Sequence, residues 1–300
     1  MKLSVCLATY NEEQNIARCL ESVKDIADEI IVVDGSSTDK TVEIAKKYGA
    51  KVTVTDNPSI FHINKQKAID QTTGDWVLQL DADEVVSHPL AKEIMTVIHY
   101  NNAAMEHYQQ SLKHRDLFLR HQKLIEDRDG YVGTKDGEYV AFFFPRLNYF
   151  LGKFLRYGGV YPDGVIRLFK RGKAYLPAKD VHEQPVVDGK VGWLQNDLLH
   201  YDSPTFSRYI ARNNRYINLI ARELNESNVS KNLKNGLDYM VVKPLSWFFM
   251  TQLRHKGILD GYQGVIFSFF SALRFPRAYW RYSKKNKLPR SKLTGYLDDY

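Results

Sequence analysis

Two carboxylates one residue apart, Asp81 and Asp83 around Ala82, directly follow the apolar run Trp76-Val77-Leu78-Gln79-Leu80. Oxygens at that spacing can hold one hard divalent cation, Mg²⁺ or Mn²⁺, which completes its shell with water and phosphate. A cation so placed offsets the charge that develops on a departing diphosphate. The same residues could also cap a helix beginning near Pro89, where the helix dipole favours acids. Their company favours the first reading, because other polar groups stand where apolar runs end: Thr9-Tyr10-Asn11-Glu12, and Asp34-Gly35.

The elements that position these groups alternate. Leu3–Ala8 has strand length and is followed by helical spacing of Ile16, Leu20 and Val23 across Asn11–Lys24. Glu29–Val33 is β-branched, as expected of a strand buried on both faces of a parallel sheet. Lys51–Val54 gives a third strand, Asn64–Thr73 a helix, and Asp75–Leu80 a fourth strand. This β-α-β-α-β-α-β order predicts an α/β, doubly wound, mostly parallel sheet, which binds ligands at the carboxyl ends of its strands. No GxGxxG follows the first strand, which argues against a dinucleotide site.

After residue 90 the rhythm changes. Pro89 to about Lys123 reads as one long polar helix, with a break near Asn101-Asn102, and Glu126–Glu138 as an Asp- and Gly-rich loop. Tyr139–Phe144 and Val165–Phe169 read as strands flanking an aromatic, glycine-bearing loop, Tyr149–Asp163. Residues 205–225 form an amphipathic helix, and 239–283 combine aromatic stretches with flanking Lys and Arg. The basic stretch Lys284–Lys292 closes the pattern and reads as mobile.

Apolar residues make up 44% of the 300, enough for a large core, and the net charge of +7 is unevenly spread. Residues 1–200 carry 25 Lys/Arg against 28 Asp/Glu, a net of −3, while residues 201–300 carry 17 against 7, a net of +10. The last third is therefore expected to meet something anionic. Its aromatics cluster in apolar segments instead of being scattered among basic residues, which favours a membrane surface over nucleic acid. Cys6 and Cys19 sit in core-like patterns and read as reduced thiols, consistent with a cytoplasmic location.

Three blocks taken together carry a family resemblance. Ser4-Val5-Cys6-Leu7-Ala8-Thr9-Tyr10-Asn11-Glu12-Glu13, Ile31-Val32-Val33-Asp34-Gly35-Ser36-Ser37-Thr38-Asp39 and Thr73-Gly74-Asp75-Trp76-Val77-Leu78-Gln79-Leu80-Asp81-Ala82-Asp83-Glu84 resemble family 2 inverting glycosyltransferases. Pro145–Lys153, Tyr157–Asp163, Arg167–Gly172 and Val181-His182-Glu183 look like the bacterial lipopolysaccharide-core β-1,4-glucosyltransferases. The resemblance implies a GT-A fold, with a catalytic domain over 1–203 (1–90 nucleotide-binding, 91–138 a helical insertion, 139–203 acceptor-binding) and a helical basic extension over 204–300. It also implies a UDP-sugar donor, a glycan or lipid-linked acceptor and work at the inner face of the cell membrane. Thr9, Tyr10, Glu12 and Asp34 would hold the uridine, Lys65 would approach the diphosphate, and Asp81, Ala82 and Asp83 would serve ribose and metal, with His182 a third metal ligand. Where the branch usually has Lys-Asn, this chain has Lys65-Gln66.

Inversion requires a carboxylate to take the proton of the attacking acceptor hydroxyl. Asp163, just after Gly158-Gly159, is favoured over Glu183, although Pro162-Asp163-Gly164 is also ordinary turn composition. Arg146 and Arg167 could face a phosphate or pair with surface acids. Two other classes fit parts of the pattern. One is a non-catalytic nucleotide-sugar-binding protein of the same fold. The other is a metal-dependent phosphatase of the haloacid-dehalogenase type, in which a DxDx(T/V) motif normally ends the first core strand, whereas three strands precede it here.

Overall fold

The computed structural model describes residues 1–177 and 184–284. The chain divides into two compact units: residues 1–147 with 162–200, and residues 148–161 with 201–300. The stretch 148–161, which the sequence suggested belongs with the preceding strands, groups with the C-terminal third.

The first unit begins as the alternation predicts. Strands β1 (Leu3–Thr9), β2 (Glu29–Asp34), β3 (Lys51–Val54) and β4 (Trp76–Leu80) pair in parallel, in the order β3-β2-β1-β4. Helices α1 (Ile16–Glu21), α2 (Thr41–Lys47) and α3 (His62–Asp70) connect them. Alternate side chains of each strand point to opposite faces. Val5, Leu7, Ile30 and Val32 therefore join α1 and α2 in one core, while Cys6, Ile31 and Val33 join α3 in the other. Burial on both sides is why these runs are unbrokenly apolar. The helix read over Asn11–Lys24 is shorter than its pattern: Asn11 adopts φ 53°, and the regular helix waits until Ile16.

β5 (Glu84–Val86) leads into α4 (His88–Val97), α5 (Asn102–Gln110) and α6 (Arg115–Asp129). The long helix expected from Pro89 is thus three helices. Ser87 caps α4, and Asn101 caps α5 by accepting the Ala104 N–H at 2.9 Å, so the break near Asn101 has its cause in a side chain that competes with the helical ladder. α6 continues to Gly130, whose φ of 91° ends it. Phe118 of α6 stacks on Trp193 with ring centres 4.8 Å apart, and Trp193 lies 4.8 Å from Phe143, which fastens the insertion to the sheet.

β6 (Tyr139–Phe150) outruns its expected length by six residues and crosses from one unit into the other. In the second unit its end pairs with β7 (Lys153–Phe154). β8 (Asp163–Lys170) lies antiparallel between β4 and β6, followed by the small hairpin of β9 (Ala174–Tyr175) and β10 (Val186–Val187). β11 (Lys190–Trp193) pairs in parallel with β6, and β12 (Leu198–Ser203) lies between β6 and β5. A mostly parallel sheet with antiparallel additions and helices on both faces is the GT-A arrangement.

The second unit is helical beyond β12. α7 (Phe206–Glu226) packs Ile217, Ala221 and Leu224 against Ala278, Tyr279 and Tyr282 of the last described helix. α8 (Leu233–Leu237), a π-helical turn (Asp238–Val242), α9 (Lys243–Phe249) and a second π-helical turn (Met250–Arg254) run on without a break. A 3₁₀ turn (Gly257–Asp260), α10 (Tyr262–Ala272) and α11 (Arg274–Lys284) complete it. The loop holding Gly158 and Gly159 belongs here: the Gly158 N–H donates to the His255 carbonyl at 2.8 Å, and both glycines hold positive φ, 73° and 79°. Its glycines serve that approach to residues 255–257. No helix among the described residues is long and apolar enough to cross a membrane.

Candidate active site

The site-forming residues of the first unit gather at the carboxyl ends of β1, β2 and β4. Asp34 is fully buried at the end of β2. It accepts hydrogen bonds from Thr9 Oγ1 at 2.8 Å, Ser37 N at 2.7 Å and Ser37 Oγ at 2.6 Å. A carboxylate bound this way fixes the two strand-end loops to each other. Asn11 extends the tie, its backbone N–H donating to Ser37 Oγ and its Oδ1 accepting the Thr38 N–H, both at 2.8 Å. Glu12 receives the Asn15 side-chain amide at 2.8 Å, and Tyr10 is exposed beside it. The four residues expected to hold a uridine therefore form one rim, with Asp34 and Thr9 beneath and Tyr10 outside.

Asp81 leaves β4 between two cations. Its Oδ1 pairs with Lys65 Nζ, and its Oδ2 lies 2.6 Å from Arg167 Nη2. Burial alone would raise its pKa, but the Arg167 and Lys65 charges outweigh burial and hold the carboxyl well below the ordinary range. Burial likewise pulls Lys65 down, against the opposing pull of Asp81. Lys65 is nearly buried, with its ammonium 4.7 Å from the centre of the Phe61 ring.

The ion pairs continue as a chain. Glu84, fully buried, accepts from Arg167 Nη2 at 2.8 Å and Arg146 Nη1 at 3.3 Å, and its other oxygen accepts the Asp81 N–H at 3.0 Å. Arg146 then donates two hydrogen bonds, at 2.7 and 3.0 Å, to one oxygen of Asp163. Cross-strand register explains the last link: Asp163 opens β8 directly opposite Arg146 on β6. Asp163 is thus a strand residue, not a loop residue as its Pro-Asp-Gly context suggested, and it belongs to the same network as Asp81. His121 of α6 adjoins it, accepting the Gly164 N–H at 3.0 Å, and burial pushes its imidazole below its usual pKa.

Lys65, Arg167 and Arg146 together balance Asp81, Glu84 and Asp163. Asp83 lies outside this balance and faces His200, with Nε2 and Oδ2 3.4 Å apart. The partnership comes from pairing of β5 with β12, which sets His200 opposite Glu84. Two donors each about 2.1 Å from an octahedral cation lie about 3 Å apart along one edge of its shell, so this pair suits Mg²⁺ or Mn²⁺. Among the described residues no group of three His, Cys, Asp or Glu side chains is placed to hold a metal. Two protein donors with phosphate oxygens for the rest is the usual habit of Mg²⁺. Asp81, engaged by two cations, is the poorer ligand of the Asp-x-Asp pair. Ala82 is buried between them.

His182 and Glu183, the sequence candidates for third ligand and alternative base, lie outside the described residues. His200 was missed. Its local signal, a histidine ending the apolar pair Leu198-Leu199, is weak without the register that carries it to Asp83. Glu84 was seen only as part of the motif, and Arg146 and Arg167 were noted without their acidic partners.

Residues 4–173 match the family model described as glycosyl transferase family 2. An uncharacterised glycosyltransferase of Rickettsia typhi is 28% identical over 285 residues, 92% of this chain and 86% of that one. The lipopolysaccharide core biosynthesis glycosyltransferase LpsC of Rhizobium meliloti is 25% identical, covering 95% of this chain and 94% of that one. Among solved structures, glucosyl-3-phosphoglycerate synthase of Mycobacterium tuberculosis in complex with Mn²⁺ and UDP-glucose aligns with 32% of this chain and 39% of that one, at 28% identity and a TM-score of 0.29. With its matched region spanning more than half of the residues, the chain belongs to glycosyl transferase family 2.

Proposed function

We propose that this enzyme transfers a hexose, glucose in the first instance, from a UDP-sugar to a glycan or glycolipid acceptor of the cell envelope, with inversion at the anomeric carbon. The observation that carries the reading is the Asp83–His200 pair beside the Lys65–Asp81–Arg167 cluster, at the carboxyl ends of parallel strands. The pair would hold Mg²⁺ or Mn²⁺, and a divalent cation there supplies Lewis-acid stabilisation of the diphosphate oxygens. The rim of Thr9, Tyr10, Glu12 and Asp34 would seat the uridine. Lys65 and Arg167 add positive potential near the diphosphate without moving, since Asp81 and Glu84 already hold them in place.

In the reaction the acceptor hydroxyl oxygen bonds to the anomeric carbon as the bond from that carbon to the phosphate oxygen breaks. The hydroxyl proton passes to a carboxylate, for which Asp163 is the favoured candidate and Glu183 the other. Arg146 orients Asp163 through two donors on one oxygen. The similarity to LpsC supports an envelope acceptor, and the excess of basic residues after position 200 supports a peripheral position at the inner face of the membrane.

UDP release measured over a panel of UDP-sugars with Mn²⁺ and an acceptor extract tests the proposal. Acceptor-dependent UDP formation that EDTA stops is the expected result. Donor binding without UDP formation from any sugar would identify a non-catalytic binding protein, and free phosphate without acceptor a phosphatase. Asp163→Asn against Glu183→Gln assigns the base.

A further inference from the structure

The second unit contains a segment whose amphipathicity is turned inside out. Of the twenty-five large apolar side chains exposed among the described residues, thirteen fall between Leu233 and Phe269. The buried side of the same segment is polar. Thr251, Gln252, Asp260, Gln263, Ser268 and Ser271 are all at most 9% exposed. They are bound to one another and to the backbone: Gln252 Nε2 donates to Ser268 Oγ at 2.6 Å and to the Gly264 carbonyl at 3.1 Å, and Trp247 Nε1 donates to Ser271 Oγ at 3.0 Å. Asp260 accepts the Arg156 and Tyr157 N–H groups. A helix that answers to water does the opposite, burying its apolar stripe and showing its polar one. Apolar patches of this extent mark a contact surface.

The outer stripe is ordered along the rod from Leu233 to Arg254. Leu233, Leu237, Val241, Leu245, Phe249 and Leu253 recur at every fourth residue, with exposures between 46% and 81%. In an unbroken α-helix that repeat would drift about 200° round the axis over the rod, at 3.6 residues per turn. The two π-helical turns hold about 4.4 residues each, which reduces the net drift to about 40° or less. The π turns therefore keep six large side chains on one side. Ile258, Leu259, Tyr262, Val265 and Phe269 extend the surface across the 3₁₀ turn and α10, which packs on α9.

The charge around this surface has one sign. From Ser227 to Lys284 there are nine Lys and Arg residues, and the only acids are Asp238 and Asp260. Asp260 is buried, and Asp238 pairs with Lys243 at 3.2 Å. Lys231 and Lys234 stand exposed at one end of the rod, Arg254, His255 and Lys256 at the other. A second copy docked through a two-fold would bring positive rims together. An anionic lipid leaflet complements both the rim and the apolar stripe.

We propose, on the strength of the peripheral placement above, that residues 233–269 form a monotopic insertion surface, lying in the plane of an anionic leaflet with the four-residue stripe entering the headgroup–acyl boundary. Lys234, Asp238, Lys243 and Arg254 along the rod suit a helix lying flat, not one crossing the bilayer.

Flotation of the full chain with phosphatidylcholine vesicles, with and without half phosphatidylglycerol, tests this. Partition at least tenfold stronger onto the anionic vesicles is expected. Leu245→Gln/Phe249→Gln/Leu253→Gln should reduce it more than tenfold while far-UV circular dichroism and UDP binding stay unchanged. Lys234→Gln/Arg254→Gln/Lys256→Gln should remove its salt dependence. Phe249→Trp, which preserves an aromatic side chain, should show emission quenched by brominated acyl chains even if the triple variants fold poorly. No partition onto either vesicle, wild-type partition by the apolar triple variant, or an unquenched Trp at 249 would each overturn the proposal. So would a dimer that the apolar variant converts to monomer without vesicle binding. Vesicle partition without UDP binding would instead overturn the nucleotide-sugar reading and leave this surface standing.

Discussion

The strand-end site of the first unit and the rod of the second bury polar groups for opposite reasons. In the site, Glu84 is sealed from solvent because two arginines compensate it, and the charges define a fixed electrostatic frame. In the rod, Gln252, Ser268 and Ser271 are neutral and are turned inward while leucines and phenylalanines face out. Burial of a charge network is costly unless every member is paired, so it is kept where a reaction needs preorganised charge. Burial of neutral polar groups in a small helical core is tolerated when the outer face has its own apolar environment.

That contrast can be broken at either end. The largest effect is expected at Glu84: Glu84→Ala leaves Arg146 and Arg167 buried without their shared acid and should cost about 3–5 kcal/mol in urea unfolding. A loss under 1 kcal/mol would mean the network is not a stability element. Next is Asp83→Ala, with His200→Ala beside it. Each should lower Mn²⁺-dependent UDP release about a hundredfold, near 2.7 kcal/mol of activation free energy, with stability little changed. Equal activity of His200→Ala and wild type would remove His200 from the metal. In the rod, Ser268→Ala deletes the 2.6 Å bond to Gln252 and should cost about 1 kcal/mol. Leu253→Gln, by contrast, should stay within about 0.5 kcal/mol, because its side chain is 70% exposed. A large destabilisation there would mean that the stripe is covered by protein.

A pH series sharpens the first unit further. Burial would raise the Glu29 carboxyl, but hydrogen bonds from Ser4, Thr73 and Lys51 outweigh it and bring its pKa from 4.5 to about 2. With the folded value depressed, the contribution is fully present above 4.5 and is lost as pH falls towards about 2. Glu29→Gln should flatten the stability profile across that window and leave it unchanged near neutrality.

The parallel half was legible because its signals are local: β-branched runs, polar residues at their ends and turn chemistry after them. The Asp81-Ala82-Asp83 motif was legible for the same reason. What it could not reveal was a division of labour, since Asp81 is neutralised by Lys65 and Arg167 while Asp83 meets His200. Those partners come from a helix and strands up to 117 residues away in sequence, through antiparallel registers that no local pattern encodes. The three-way division of the helical insertion turned on Ser87, Asn101 and the Gly130 terminus, of which only the Asn101 break was foreseen. The basic, aromatic character of the last third was visible in composition, but its reversed facing was not. Period-four spacing is ambiguous until the turns beneath it are known to be widened.

Those widened turns carry a genetic consequence. A π turn within an α-helix amounts to one extra residue in the ladder, so the rod behaves as a regular helix that has absorbed two single-residue insertions. Deleting one residue within Asp238–Val242 would restore α-geometry and rotate everything after it by about 100° relative to Leu233. The composition would hardly change, yet the stripe would be split between two sides. For this segment, length is under tighter constraint than residue identity: exchanges among leucine, valine and phenylalanine should be tolerated where a one-residue deletion is not.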